Sequence, residues 1–217
     1  ETSCTNPVSE GMVVLTQSEK AKKGQNDILE FQLTSHPLDC PVCDKGGECL
    51  LQDMTLAHGS SESRYRFDEK RHAQKHVALG ESIWLDRERC IACGRCVRFQ
   101  SDLVGEAGLD FDMRGAKSEI VTTSEPGFDS VFSGNTTDIC PVGALTTANF
   151  RFGARPWEME ATASICGECP VSCNTMLDTR RDAKSGGKVI VKRVMPRQNE
   201  AVNETWICDK GRFADFS

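Results

Sequence analysis

Eleven of the twelve cysteines in this chain fall into three short-spaced groups, and that spacing limits its possible folds more than any other feature. Cys40, Cys43 and Cys49 form the first group. Cys90, Cys93 and Cys96 form the second, with Cys140 further on, and Cys166, Cys169 and Cys173 form the third, with Cys208 further on. Cys4 stands alone. A tight C-x2-C-x2-C run followed by a remote Cys-Pro is the ligand pattern of a 4Fe-4S cubane, because short loops wrap three irons and a distant segment closes the fourth corner. Structural zinc more often joins two C-x2-C knuckles, two ligands from each, and disulfides across such short gaps would be strained. The second group therefore predicts a 4Fe-4S site made by Cys90, Cys93, Cys96 and Cys140.

Composition agrees with a stapled, modular chain. Its 217 residues carry 18 Gly and 8 Pro against 10 Phe, 3 Trp and 1 Tyr, which favours several small, loop-rich modules over one large core. Modules of that size need staples. No run of eighteen apolar residues is present, so no bilayer-crossing helix is expected and the reading is of a soluble protein. A net charge of -6 offers no basic face to a phosphate backbone, which argues against a nucleic-acid partner; the run EKAKK reads as a solvated helix face. The N-terminus ETSCTNPVSEG has neither a signal peptide nor an initiator methionine. Together with the lone Cys4, this gives the expectation that the chain is a fragment whose first residue lies inside a domain.

The second group carries a further pattern. A bacterial two-cluster ferredoxin reads C-x2-C-x2-C-x3-C-P twice, with each run's fourth cysteine serving the other cluster. In CIACGRCVRFQ, Gln100 stands where the first run's fourth cysteine would be, and in SVFSGNTTDICP the residues Ser130, Ser133 and Thr136 precede Cys140 at the other three vacated positions. The pattern is that of a two-cluster ferredoxin which keeps one cluster. SIWLD reads as a strand, VRFQSDLV as a helix, LDFDM and SEIVTT as strands and PVGALTTANF as a second helix, a βαββα order.

The first group lacks a fourth cysteine, and His36 precedes Cys40 by four residues. The segment SEKAKKGQNDILEFQLTSH reads as a helix capped by Ser18, stopped by Pro37, and ending at His36. Spacing alone leaves two roles for that histidine: a neutral imidazole bound to iron, as in Rieske centres, or a side chain that interacts with the last carbonyls of the helix. In the third group NTMLDTR and KVIVKRV read as two strands joined through SGG, a small β-module that closes on a cubane through Cys208. A four-cysteine zinc ribbon is the alternative there. Lys210 would lie near that site or serve as a surface charge.

The strings HPLDCPVCDKGGECLLQD, RCIACGRCVRF and FSGNTTDICPVGAL together resemble the family of the large iron-sulfur (G-type) subunit of bacterial respiratory complex I, the proton-pumping NADH:quinone oxidoreductase. The string SCTNPVSEGM resembles the end of that subunit's plant-ferredoxin-like 2Fe-2S domain. This resemblance implies that His36 ligates a 4Fe-4S cluster with Cys40, Cys43 and Cys49. It also implies that Cys4 is the last ligand of a 2Fe-2S centre present in the full-length protein, and that Cys166, Cys169, Cys173 and Cys208 hold a third 4Fe-4S cluster. That third group is also similar to the front of molybdopterin oxidoreductases, where the lysine of CDKGR lies beside the cluster.

The implied fold class is α+β, made of small modular iron-sulfur domains, including a ferredoxin-like domain with one cluster lost and a small β-rich cluster domain. The expected divisions are 1–17 as a 2Fe-2S domain remnant, 18–80 as a helical His/Cys3 domain, 81–160 as the ferredoxin-like domain and 161–217 as the molybdopterin-oxidoreductase-type cluster domain. The function implied is electron relay from NADH and flavin toward quinone, as a subunit of NADH dehydrogenase. The implied partners are a flavin-bearing NADH-binding subunit, a small 2Fe-2S subunit and further iron-sulfur subunits. The implied location is the cytoplasmic side of the bacterial inner membrane, reached only through the complex. No GxGxxG, P-loop or nucleophile-base pair is present, so neither NADH binding nor a substrate site is expected in this chain. The competing readings are the front of an NAD-linked formate dehydrogenase or multi-subunit hydrogenase and, in another class, a zinc-stapled interaction module.

Overall fold

Ser18 starts the first helix: its hydroxyl accepts a hydrogen bond from the Ala21 amide at 3.2 Å, and α1 runs Glu19–Leu33. The computed structural model describes residues 4–124 and 127–215. The sequence places the end of this helix at His36, but it stops at Leu33. Pro37 disfavours helical geometry in the residue before it, and the Lys70 ammonium takes the Leu33 and Thr34 carbonyls at 2.6 and 3.3 Å, so His36 lies in the loop beyond. A single 3-10 turn, Cys40–Val42, and α2, Leu50–His58, follow. Lys20, Lys22 and Lys23 are exposed, as expected of a solvated face.

The next unit is built on an antiparallel sheet of β1 (Val77–Ala78), β2 (Ile83–Leu85) and β5 (Leu145–Thr147), in the order β1-β2-β5. Between β2 and β5 come α3 (Arg95–Arg98), which continues into a π-helical turn at Phe99–Val104, and a hairpin of β3 (Leu109–Asp112) and β4 (Glu119–Thr122). Then comes α4, Asn135–Ile139. The second helix expected on PVGALTTANF is therefore corrected: the helix precedes Cys140, and the residues after it form β5. Pro141 cannot donate to a helix, whereas the β-branched Thr146 and Thr147 suit a strand and pair with Trp84 and Ile83 along the open edge of β2.

The last unit is an antiparallel sheet of β6 (Glu160–Ile165), β7 (Asn174–Asp182) and β8 (Lys188–Pro196), closed by the short α5, Asp209–Arg212. The two strands read from the sequence are β7 and β8; β6 is an addition. Its mostly exposed residues, EATASI, give no alternation of burial, and its strand form comes from its pairing with β7 from Glu160↔Thr179 to Ile165↔Asn174.

The main apolar core gathers Leu79, Ile83, Leu85, Leu109, Ile120, Phe128, Val142 and Leu145 with Cys96 and Cys140, and it also takes in Cys49 and Leu51. The first cysteine region and the ferredoxin-like unit thus share one core. Ile83 and Leu85 are fully buried, and each such side chain contributes about 1.5–3 kcal/mol. Among the described residues no helix is long and apolar enough to cross a membrane.

Candidate metal centres

His36, Cys40, Cys43 and Cys49 line one pocket of about 450 Å3, together with Leu33, Leu51, Arg89 and Gly143. A water in the liquid occupies about 30 Å3, so this space suits a multi-atom group. The helix-end role open to His36 is taken by Lys70, whose ammonium holds the two terminal carbonyls. His36 Nδ1 is buried and has no hydrogen-bond partner among the described residues. Burial, followed by the charges of Lys70 and Arg89, lowers the histidine pKa to about 4, which keeps the imidazole neutral and its lone pair available. Burial raises the Cys43 thiol while the Arg89 charge opposes the shift.

Cys90, Cys93, Cys96 and Cys140 line a second, tighter pocket walled by Leu85, Ile91, Ile120, Val142, Ala144 and Leu145. Ala92 adopts a positive φ of 51° and Gly94 one of 68°, which lets the short loop curl so that its cysteines face inward. Burial and the neighbouring cysteines push the Cys90 thiol to about 11 and the Cys96 thiol to about 12. Thiols held this high stay neutral near pH 7 unless a positive charge enters among them, as a metal centre would bring.

The two pockets share a wall. The Cys49 sulfur lies 3.7 Å from the Pro141 carbonyl, and Gly143, three residues after Cys140, lies so close to Cys43 that a Cβ there would overlap its sulfur. The backbone Cys140–Gly143 therefore separates one donor set from the other.

The third set is shallower. Cys169 is exposed, and Cys166, Cys173 and Cys208 are partly covered. The Cys166 amide donates to the Cys173 carbonyl at 2.8 Å and the Ser172 amide to that of Cys169 at 3.2 Å, which folds the loop back on itself. Burial and then the charges of Cys166, Cys208 and Cys169 raise the Cys173 thiol. Gly211 lets α5 approach: a Cβ there would stand 2.8 Å from the Cys166 sulfur. Lys210 bonds the Glu168 carbonyl at 2.8 Å, on the outer side of the same loop. Cys4 is exposed. In none of these sets do three donors converge on a single-ion position among the described residues; in the first two they stand around pocket walls.

The four residues at the positions where a second set of ferredoxin cysteines would stand are all buried: Gln100, Ser130, Ser133 and Thr136. Their surroundings receive the 206–212 segment. Ser133 donates to Asp209 at 2.5 Å and the Gly134 amide to the same carboxylate at 2.8 Å. Asn135 exchanges hydrogen bonds with the backbone of Ile207 at 2.8 and 3.2 Å, Arg212 pairs with Asp138, and Phe99 packs on Trp206 with ring centroids 4.7 Å apart. Cys208 is thereby seated on the ferredoxin-like unit.

Arg193 ties the first region to the last unit, reaching Glu48 at 2.7 Å and Asp178 at 2.6 Å. Burial alone would raise the Glu48 carboxyl, and the hydrogen bonds and charge of Arg193 outweigh it and hold the carboxyl below its ordinary value of 4.5. Replacing Arg193 by Met is expected to cost about 2 kcal/mol, between the values for exposed and fully buried pairs. A lowered carboxylate pKa stabilises above the unfolded value and loses that stabilisation as pH falls through the folded one. The gap in urea midpoint between the Met variant and the parent is therefore largest near neutral pH and narrows below about 4.5.

Sequence reasoning missed Arg89, Gly143 and Arg193. Arg89 directly precedes Cys90 and Gly143 closely follows Cys140, so proximity to the cysteine groups was the available signal.

Comparison with known proteins gives a consistent result across the chain. Three family models match: the NADH-ubiquinone oxidoreductase-G iron-sulfur binding region over 25–64, the ferredoxin-like domain of NADH-quinone oxidoreductase subunit 3 over 80–146, and an NDSU1/NuoG-like 4Fe-4S domain of NADH-ubiquinone oxidoreductase over 162–215. The G-type NADH-quinone oxidoreductase subunit of Streptomyces coelicolor is 47% identical over 97% of this chain, and subunit 3 of the Thermus thermophilus enzyme is 46% identical over 97%. The chain spans about a quarter of these relatives, 24% and 28% of their lengths. Among solved structures, an NAD+-reducing [NiFe]-hydrogenase in its H2-reduced state aligns with a TM-score of 0.58 at 32% identity, over 71% of this chain and 66% of that one.

Proposed function

We propose that this chain is part of a large, G-type iron-sulfur subunit of an NADH-quinone oxidoreductase, which its likeness to such subunits supports, and that it carries electrons from an NADH-oxidising flavin subunit toward quinone. In this reading His36, Cys40, Cys43 and Cys49 hold one 4Fe-4S cluster, Cys90, Cys93, Cys96 and Cys140 a second, and Cys166, Cys169, Cys173 and Cys208 a third. Such clusters supply one-electron chemistry when bound. Cys4 serves a 2Fe-2S centre of the full-length protein. The partners are the flavin-bearing subunit, a small 2Fe-2S subunit and further iron-sulfur subunits, and the chain is peripheral, on the cytoplasmic side of the bacterial inner membrane.

The observation that carries this reading is the shared wall between two four-donor pockets, with Cys49 against Pro141 and Gly143 against Cys43. Two redox centres held back to back can exchange electrons without diffusion or a moving part. The protein's task is then to keep them fixed, dry and tuned. Apolar walls exclude water from the Cys90 pocket, a neutral histidine makes the first donor set less negative than four thiolates, and the packing around Asn135 fixes Cys208.

A hydrogenase relay is the second reading favoured by a specific observation, the structural likeness to the NAD+-reducing enzyme. The match of the third region to the NADH-ubiquinone oxidoreductase type of 4Fe-4S domain favours the first. Anaerobic reductive titration tests electron carriage directly. The purified protein is expected to take up about three electrons, one per cubane, with reversible bleaching of its visible absorbance. A colourless protein that takes up none would sink the proposal and leave a zinc-stapled module.

A further inference from the structure

Arg89 is buried to 4% exposure, yet it belongs to the wall of the His36 pocket. Its Nε is held by Asp39 at 3.0 Å and by Asp86 at 3.2 Å, and Asp86 also accepts the Arg89 backbone amide at 3.1 Å. At its other edge Nη1 is buried and has no partner among the described residues. A buried guanidinium nitrogen without an acceptor costs a charged group's desolvation. The pocket beside it is where an acceptor belongs, and the acceptors a 4Fe-4S cluster offers there are sulfurs.

The charges around this arginine are few and locatable. Asp39 and Asp86 face its Nε, Lys75 stands 2.7 Å from Asp39, 3.6 Å from Asp86 and 2.5 Å from Glu88, and Lys70 caps the end of α1. Asp39 immediately precedes Cys40, and Arg89 immediately precedes Cys90. The side chain thus points to one donor set while its backbone leads into the other.

We propose that Arg89 is the residue that tunes the His36 cluster: its Nη1 donates to a sulfur of the group held by His36, Cys40, Cys43 and Cys49, and its fixed charge favours that group's reduced state. The inference rests on the ligand assignment above. Arg89 exchanges no electrons; it acts on the centre through a hydrogen bond and a charge, both of which set cluster potentials. Because its Nε already donates to Asp39 and stands beside Asp86, the guanidinium is held in one orientation, and a lysine ammonium would reproduce it only in charge.

The test is an EPR-monitored redox titration of the full chain, purified anaerobically, with His36→Cys used to identify the signal that belongs to this cluster. Arg89→Met is expected to shift the reduced-to-oxidised ratio of that signal at least tenfold toward oxidised at fixed potential, a 59 mV fall for one electron, while the Cys90-cluster signal moves less. Arg89→Lys is expected to shift it by less than half as much. Asp86→Asn, which removes a countercharge and leaves Arg89 in place, is expected to shift it toward reduced. An unchanged midpoint in Arg89→Met, or equal shifts in both signals, overturns the role of Arg89. If Arg89→Met fails to retain the cluster, an Asp86→Asn midpoint that stays put or falls overturns it instead. If His36→Cys alters no signal, the ligand assignment itself has failed.

Discussion

Replacing His36 by alanine is expected to abolish or strongly alter one cubane EPR signal, and replacing it by cysteine to preserve the cluster at a lower midpoint potential. The alanine variant removes one of four donors from a pocket whose other three are thiols, so one iron loses its protein ligand. The cysteine variant restores four donors but exchanges a neutral imidazole for a thiolate, which makes the centre one unit more negative. The expected fall in midpoint is roughly 100 mV or more, in the sense set by the contrast between Rieske and all-cysteine centres. The imidazole stays neutral down to about pH 4, so protons do not compete for it near neutrality. Spectra and midpoints unchanged in both variants would return His36 to the role of a loop residue.

Gly143→Ala is the second large effect. A Cβ at this position overlaps the Cys43 sulfur and meets the Lys45 Cβ at 3.3 Å. Neither side can yield cheaply: Cys43 is buried, and Gly143 lies three residues after Cys140 on a segment packed into the core. One methyl group is therefore expected to displace donors of both pockets. Loss or broadening of the His36-dependent signal, with a change in the Cys90-cluster signal as well, is the expected outcome. Overpacking of this kind typically costs about 1–3 kcal/mol, so an apparent melting temperature lowered by several degrees should accompany it. A Gly143→Ala protein with both signals and full stability would show that the two sites are not back to back.

The cysteine groups were legible because ligand spacing is local: short loops can wrap a cluster only at certain intervals, and those intervals stand in the sequence. The strands β3 and β4 were legible as the runs LDFDM and SEIVTT, whereas their pairing as a hairpin is seen only in the structure. What was not legible depends on partners distant in sequence. Residues 145–147 become β5 because β2 offers an edge, and β6 forms on β7 although its mostly exposed residues show no alternation. His36 lay in a run that reads as helix, but a lysine far along the chain closes that helix early. The direction of the Arg89 side chain, into the pocket of the other cysteine group, is likewise a tertiary fact. The vacated positions Gln100, Ser130, Ser133 and Thr136 could be read as lost ligands, whereas their surroundings' use as a seat for Trp206–Arg212 could not.

Iron, acid-labile sulfide and zinc analysis of the anaerobically purified protein tests the central claim most directly. Three cubanes predict about twelve irons and about twelve sulfides per chain with negligible zinc. Zinc at about one ion per cysteine group, without sulfide, would contradict the electron-transfer account and establish a structural metal protein in its place.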